Sequence, residues 1–584
     1  MKKNYMKNFF KLSQSKMKQI IIILFLTSSS VIYGQNYGKL QGNTQLNHQT
    51  FQEDLTIGAL HHPAYTSGYT NLLYTNQKII IGVRLEGYHN VMPGTGLEDF
   101  EGIGIANRFI QYKSNNIDVT MGNFYDEFGS GLIFKTYFDP NLGIDNSING
   151  LRLKIKPISG VYITALTGKQ RNTWKENESD SLFFKWKRPG YMYDEEDNFH
   201  GLVSGINTDI SLNEIIFQNW NSIINMGASF VTKHETDNDP IYNFPENVGA
   251  FNGRFNISKN NTSINIDYAH KINDPSSDNN LIYQNGNGLI INANYSKKGF
   301  GVSVGAKRIQ NMSFRSLRKG QFQNFNINYI TPFTKQQSYS LATIYPYISQ
   351  PNGEMGMQLD LYYTIPKKSK IGGKYGTHIS FNFSNVFDID QTIPEDNEGI
   401  NQRGTLGYNS SPFKIGENKL FQEINIEISK KINKSIKING AYINLMNNDK
   451  ILESQILLEN QEHEKIFANI FILETLLKLP KIGKMRSSMN TQIQHLRTKQ
   501  HLGNWAMGLI EYKLSKWFIS IQDMYNYGSP DKPHYYSISS GYNKGSHRIS
   551  LTYGKQRKGL FCIGGVCRDV PASNGFTISL TSSF

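Results

Sequence analysis

The stretch Gly575-Phe576-Thr577-Ile578-Ser579-Leu580-Thr581-Ser582-Ser583-Phe584 decides the reading of the whole chain. Phe576, Ile578, Leu580 and Phe584 share one parity and Thr577, Ser579, Thr581 and Ser583 the other, with Ser582 alone breaking the apolar file. Successive side chains of a strand point to opposite faces, so this segment is apolar on one side and hydroxylated on the other. A soluble sandwich could use it as an ordinary half-buried strand. At the end of a long series of similar strands, finishing on an aromatic residue, it predicts the closing strand of a transmembrane barrel. Phe576, Ile578, Leu580 and Phe584 are then its lipid-facing file and a candidate assembly signal.

Bulk composition agrees. Of 584 residues, 18% are charged and 12% aromatic, and 51 glycines against 18 prolines suit many strands and turns. Mean hydropathy is −0.45, and no stretch beyond the amino terminus offers the ~18 consecutive apolar residues of a spanning helix. A barrel passes that test because only every second residue meets lipid.

Residues 1–34 carry six lysines, the apolar run 20–26 and a small residue, Gly34, before Gln35. This order predicts a secretory signal peptide cleaved after Gly34. Its removal lowers the formal charge from +14 to +8, which weakens any nucleic-acid reading, and export removes it. The remainder has room for roughly 20 strands at ~9–11 residues each, in an even number between about 16 and 24 if both termini are periplasmic. The expected fold is all-β, a large antiparallel transmembrane barrel over 67–584, preceded by a short segment, 35–66, too small for an amino-terminal plug domain.

Alternation marks strands at 78–88, 105–113 and 117–122, then at 151–156, where Leu151, Leu153 and Ile155 interleave with Arg152, Lys154 and Lys156. The same alternation would serve a solvated soluble sheet; in a barrel the cations face the lumen. Arg84, Glu86, Arg108, Arg152, Lys154 and Lys156 are the candidate lumen-lining residues. Residues 169–200, with the acidic run 194–197, break the rhythm as a long external loop. Strands resume from 201 to 309 and from 356 to 445; within 463–479 the run 467–472 is apolar on both parities, which suits a strand or one short helix, and its β-branched and aromatic content favours strand. The last hundred residues alternate short connections (515–516, 543–546) with long ones (498–504, 527–533, 555–574), which orients the long ones outward.

The two cysteines, Cys562 and Cys567, flank Gly564-Gly565, and in an exported chain they predict a disulfide in an external loop, 555–574. The segment 122–132, Gly-Asn-Phe-Tyr-Asp-Glu-Phe-Gly-Ser-Gly-Leu, would either fold into the lumen as a constriction or ligand platform or supply an interfacial aromatic girdle, and the girdle is the simpler expectation. No catalytic, metal or cofactor motif is present in the sequence, so no cofactor and no enzymatic activity are expected.

The segment 119–134 with Leu142-Gly143-Ile144-Asp145-Asn146-Ser147-Ile148-Asn149-Gly150, and Gly564-Gly565-Val566-Cys567-Arg568 with Val570-Pro571-Ala572-Ser573, resemble an uncharacterised family of outer-membrane proteins of the Bacteroidota. The resemblance implies an outer-membrane barrel of a Gram-negative bacterium and supplies no substrate. The leading expectation is a non-enzymatic, porin-like pore with a mixed-charge lumen. The alternative is an accessory barrel of an envelope protein-secretion or outer-membrane assembly complex. Expected partners are outer-membrane lipid, the barrel-assembly machinery and envelope proteins docking on external loops, with no nucleic acid.

Overall fold

The computed structural model describes residues 38–91, 101–175, 186–191, 201–236, 239–320, 325–448, 451 and 464–584. The expected signal peptide, 1–34, and the acidic run 194–197 lie outside them. Among the described residues, 24 antiparallel strands close into one barrel, each paired with its neighbours in sequence and the last, Ser573–Ser583, with the first, Lys39–Gln49. A further strand, Trp186–Tyr191, pairs back on Val161–Lys175 and touches Gly102–Lys113. The expected loop 169–200 is therefore shorter, because the strand before it runs on to Lys175.

Closure leaves no unpaired edge. At one end the strands are joined by tight turns such as 77–78, 260–261, 298–299 and 545–546; at the other the connections are longer. Apolar side chains such as Ile81, Ile110, Met121, Phe251, Ile493 and Ile521 stand exposed on the outer face. The file Phe576, Ile578 and Phe584 belongs to this outer surface, while Thr577, Ser579 and Thr581 face inward.

The barrel begins at Lys39, not at residue 67. Lys39–Gln49 pairs along its length with Tyr65–Asn76 and closes the cylinder through Asn43↔Ser583 to Gln49↔Thr577. Its outer parity holds only two large apolar residues, Leu40 and Leu46, among Gly42, Thr44 and His48, so it lacks the alternation by which the other strands are recognised. The seam is finished by Phe584, whose backbone N–H donates to Gly42 O at 2.9 Å and whose carbonyl accepts from Gly42 N at 3.0 Å. The Phe584 ring lies over Gly42, where a Cβ would meet Cζ at 2.6 Å. Deleting Phe584 is expected to lower the folded, membrane-integrated fraction several-fold, read by heat-modifiable gel mobility; an unchanged fraction would assign the seam to the preceding pairs alone.

The inner wall is not uniformly wet. Leu166, Val203, Val231, Val248, Ala250, Ala269, Ile290 and Ile309 point inward and are buried, as are Phe421, Ile443, Leu445, Ile470, Leu496 and Trp505 on a second arc. Apolar lumen residues require a partner inside the barrel, and the chain supplies it.

Candidate functional site: a lumen closed from within

Two connections at the long-loop end turn into the barrel. The first, 125–147, links Ile117–Phe124 to Ile148–Ile158; the second, 311–352, links Phe300–Gln310 to Gly353–Ile365. The first contains the aromatic and glycine-rich segment expected at the interfacial girdle. Instead, Phe128, Leu132, Ile133 and Phe134 are at most 1% exposed and pack against the first apolar arc of the wall. The fold-back is local: Phe128 N donates to Phe134 O at 3.0 Å and Gly131 N to Phe128 O at 3.0 Å. Gly129 and Gly131 adopt φ of +60° and +88°, which favours glycine at both. At Gly129 a Cβ would also meet Arg254 Cδ at 2.3 Å, and Ser130 N donates to Asp267 Oδ2 at 3.0 Å, so the tip docks directly on wall residues.

The second insert continues that core with Met312, Phe314, Ile327, Ile330 and Phe333. It is sewn to the first by Lys135 N to Ile327 O at 2.8 Å, Tyr329 N to Gly131 O at 3.0 Å and Asn328 Nδ2 to Leu132 O at 3.0 Å. It then crosses the lumen. Lys335 Nζ reaches Glu427 at 2.5 Å, Gln337 donates to Glu423 at 2.8 Å and Tyr339 to Glu474 at 3.2 Å. Leu341, Ile344, Tyr345 and Tyr347 end buried against the second apolar arc.

Buried charge fixes both inserts to the wall. Arg84 Nε lies 2.6 Å from Glu86 Oε1, and Arg171 Nη2 lies 2.9 Å from Glu86 Oε2. Both guanidinium groups also bind Asp145 of the first insert, whose Oδ1 accepts from the Tyr125 hydroxyl at 2.7 Å. Two cations and two carboxylates balance, as buried ions must. Burial alone would push the Asp145 carboxyl up, but Arg171 and Arg84 more than reverse this and hold it below the ordinary carboxylate range. The second insert has its own lock: Lys307 Nζ lies 2.6 Å from Glu354 Oε1 and donates to Thr331 O at 2.7 Å, and Tyr347 donates to the same carboxylate.

The cystine forms in the last long connection, and its hairpin lies against the inserts. Gly559–Ile563 and Val566–Val570 pair with Cys562 opposite Cys567, and Gly564 and Gly565, at φ +56° and +75°, make the tight two-residue turn. The Tyr329 hydroxyl donates to Gly564 O at 2.5 Å, Ser349 N donates to Gly565 O at 3.3 Å, and Val566 packs on Leu142 and Ile144. The hairpin thus lies on both inserts, which supply partners for its turn carbonyls and for Val566.

The lumen candidates separate by position. Arg84 and Glu86 form the first lock. Arg152 and Lys154 bind Asp126 at 3.3 and 2.7 Å, clamping the start of the first insert. Lys156 sits 3.6 Å from Glu214 at the tight-turn end. Arg108 is the correction: it pairs with Val83 and shares the outer face with Ile110 and Tyr112. A bulge places Asn107 opposite Arg84 and Ile105 opposite Leu85, which inverts the parity that simple alternation would assign. Asp145, Arg171, Lys307 and Glu354 were not singled out by the sequence, whose one signal was the strand-free gap between 309 and 356.

No curated protein matches the chain. Similar solved structures include the siderophore receptor PirA from Pseudomonas aeruginosa (10% identity, TM-score 0.38, 95% of this chain and 81% of that one). Others are the ferric enterobactin receptor PfeA in complex with BCV-L6 (9%, 0.36, 95% and 82%) and the translocation pore of the P pilus usher PapC (8%, 0.28, 93% and 98%). The sequence profile of DUF6029, a family of unknown function, matches residues 17–584, and the chain belongs to that family.

Proposed function

We propose that this DUF6029 member is an integral outer-membrane barrel with periplasmic termini whose lumen is held shut by its own chain: a gated conduit rather than an open porin. The apolar outer face supports membrane insertion, and the tight turns at the end that carries Phe584 support placing that end in the periplasm. The observation that carries the gating is the second insert, which is buried against one arc of wall at Phe314 and against another at Leu341. A plugged lumen has no standing aqueous path for ions. Purified protein in planar bilayers is expected to show no steady conductance at low voltage; a persistent ohmic current from the intact chain would restore the open-porin reading.

A second reading, an accessory subunit of an envelope secretion or assembly machine, is favoured by apolar side chains displayed on the long connections. Phe413 is 92% exposed, Ile241 79% and Leu55 74%. The cystine hairpin of 555–574 is turned onto the inserts, so docking would use 235–246 and 390–414 instead. Gentle detergent extraction and affinity purification test it: a stoichiometric partner lost on Phe413→Ser supports this reading, and recovery of the barrel alone opposes it.

A further inference from the structure

The inserts do not cover the whole inner wall. On the arcs they cover, inward polar residues are buried: Asn252, Asn382, Ser384, Asn425 and Gln494 are all at most 5% exposed. On five consecutive strands around the seam, His534–Lys544, His547–Gln556, Ser573–Ser583, Lys39–Gln49 and Tyr65–Asn76, most inward residues are half-exposed or exposed instead, Gly541, Ser573 and Gly575 being the buried ones. Ser537, Ser539, Ser550, Thr552, Thr577 and Ser579 form one patch, continued by Asn43, Gln45, Asn47 and Asn71. Of the inward positions on these strands, only Lys39 and Arg548 carry a charge, and both lie at the tight-turn end. The arc borders Arg84 and Glu86 on one side; on the other, Trp517–Tyr525 turns Phe518, Ser520, Gln522 and Met524 inward before the Glu511–Lys513 pair of the next strand.

Loop 50–64 stands on the rim at the long-loop end of this arc. Its backbone joins the last strand, with Thr50 N donating to Phe576 O and Gln52 N to Asn574 O, both at 2.8 Å. Ile57 and Ala59 pack on Ala572 and against Tyr535, an inward residue at the top of the arc. Asp54 Oδ2 lies 2.5 Å from Lys555 Nζ across the rim. These contacts are few and small beside the two large cores that hold the inserts.

We propose that the uncovered arc is the conduit's solute path, selective for neutral polyhydroxylated molecules of the oligosaccharide class, and that loop 50–64 is its lid while the inserts stay in place. This rests on the gated-conduit reading and names its substrate class. Hydroxyl and amide side chains both donate and accept, so they can exchange partners continuously with a sugar's hydroxyls. Tyr69, edge-to-face on Phe138, and Tyr535, stacked on Trp505, add aromatic surface at the arc's margin. The absence of charge at mid-height leaves neither a Coulombic barrier nor a trap, whereas a lining with charged rings selects ions.

The test uses the full chain in liposomes, with osmotic swelling in maltotetraose and bilayer conductance under a KCl gradient. Wild-type protein is expected to swell little. Ile57→Asp, which places a charge in the lid's apolar contact, is expected to speed swelling about tenfold, with a reversal potential close to zero because an uncharged path discriminates little between ions. Ile57→Asp combined with Ser579→Trp, which fills the arc at mid-height, should return to the wild-type rate while keeping the heat-modifiable mobility of a folded barrel. Swelling that Ser579→Trp leaves intact, or none with Ile57→Asp, overturns the arc. If current then appears only when the Asp145 lock is broken, the conduit reading stands and the path lies through the inserts; if neither variant passes current or sugar, both readings fall.

Discussion

Replacing Asp145 with alanine is expected to turn a silent barrel into a conducting one. The side chain belongs to the first insert and is held by Arg84 and Arg171 of the wall and by the Tyr125 hydroxyl. Without it, two buried guanidinium groups share Glu86 alone, and one positive charge has no counter-ion. Removing one partner from a buried ionic cluster costs about 3–5 kcal/mol, most of it the penalty of the charge left behind. The cheapest relief is for the insert to leave the wall and let water reach Arg84 and Arg171. Planar-bilayer recordings should therefore show long-lived openings in Asp145→Ala. The paired variant Arg84→Met with Asp145→Leu keeps the remaining Arg171–Glu86 pair neutral and should open much less. Equal conductance in both would mean that the lock acts through packing and not through charge.

The same lock predicts how the protein responds to acid. Asp145 has a folded-state pKa below its ordinary value. Its contribution to docking is complete above the unfolded carboxylate value of about 4 and is lost as the pH falls through the folded value. The intact protein should stay closed from neutral pH to about pH 5 and loosen only in stronger acid. Openings that begin near pH 6 would point to a different titrating group.

Why the sequence showed the wall but not the plug follows from the range of the interactions. A wall strand advertises itself locally: Ile79, Ile81, Val83 and Leu85 alternate with inward residues, and the observed strand Ile79–His89 departs by a residue from what alternation alone assigns. The locks are non-local. Arg84 and Asp145 are 61 residues apart, and Glu86 and Arg171 are 85 apart; no spacing rule joins them. Segment 122–132 was ambiguous for another reason. Glycines and aromatics make either a lipid-interface girdle or a tight fold-back with a buried aromatic core, and composition is the same for both. What separates them is that inward residues such as Val231 and Ala250 lack a partner unless Phe128 and Phe134 supply one, and inwardness is known only once register is known. Arg108 failed by one residue for the same cause, a bulge that alternation cannot see.

Phe134→Ala tests whether the first insert is a moving part or simply the core of the barrel. Phe134 is fully buried, its ring centroid 5.0 Å from that of Phe128, within the cluster formed by Leu166, Val203, Ile290 and Ile309. Truncating a buried phenylalanine costs about 3–5 kcal/mol in lost transfer energy and residual cavity. The cavity is lined by apolar groups and should remain dry, so this variant, unlike Asp145→Ala, is expected to conduct no ions at rest. Its effect should appear in the population of transient openings. Lys135 is the one lysine or arginine between 125 and 147, so trypsin cleavage there reports the insert leaving its seat. If the insert opens as a unit while the wall stays paired, cleavage tracks the open population, and 3–5 kcal/mol raises it on the order of a hundredfold or more. A rate close to wild type would mean that the insert and the wall come apart only together. The plug would then be permanent, and the exposed side chains Phe413 and Ile241 on the long connections, not the lumen, would become the place to look for function.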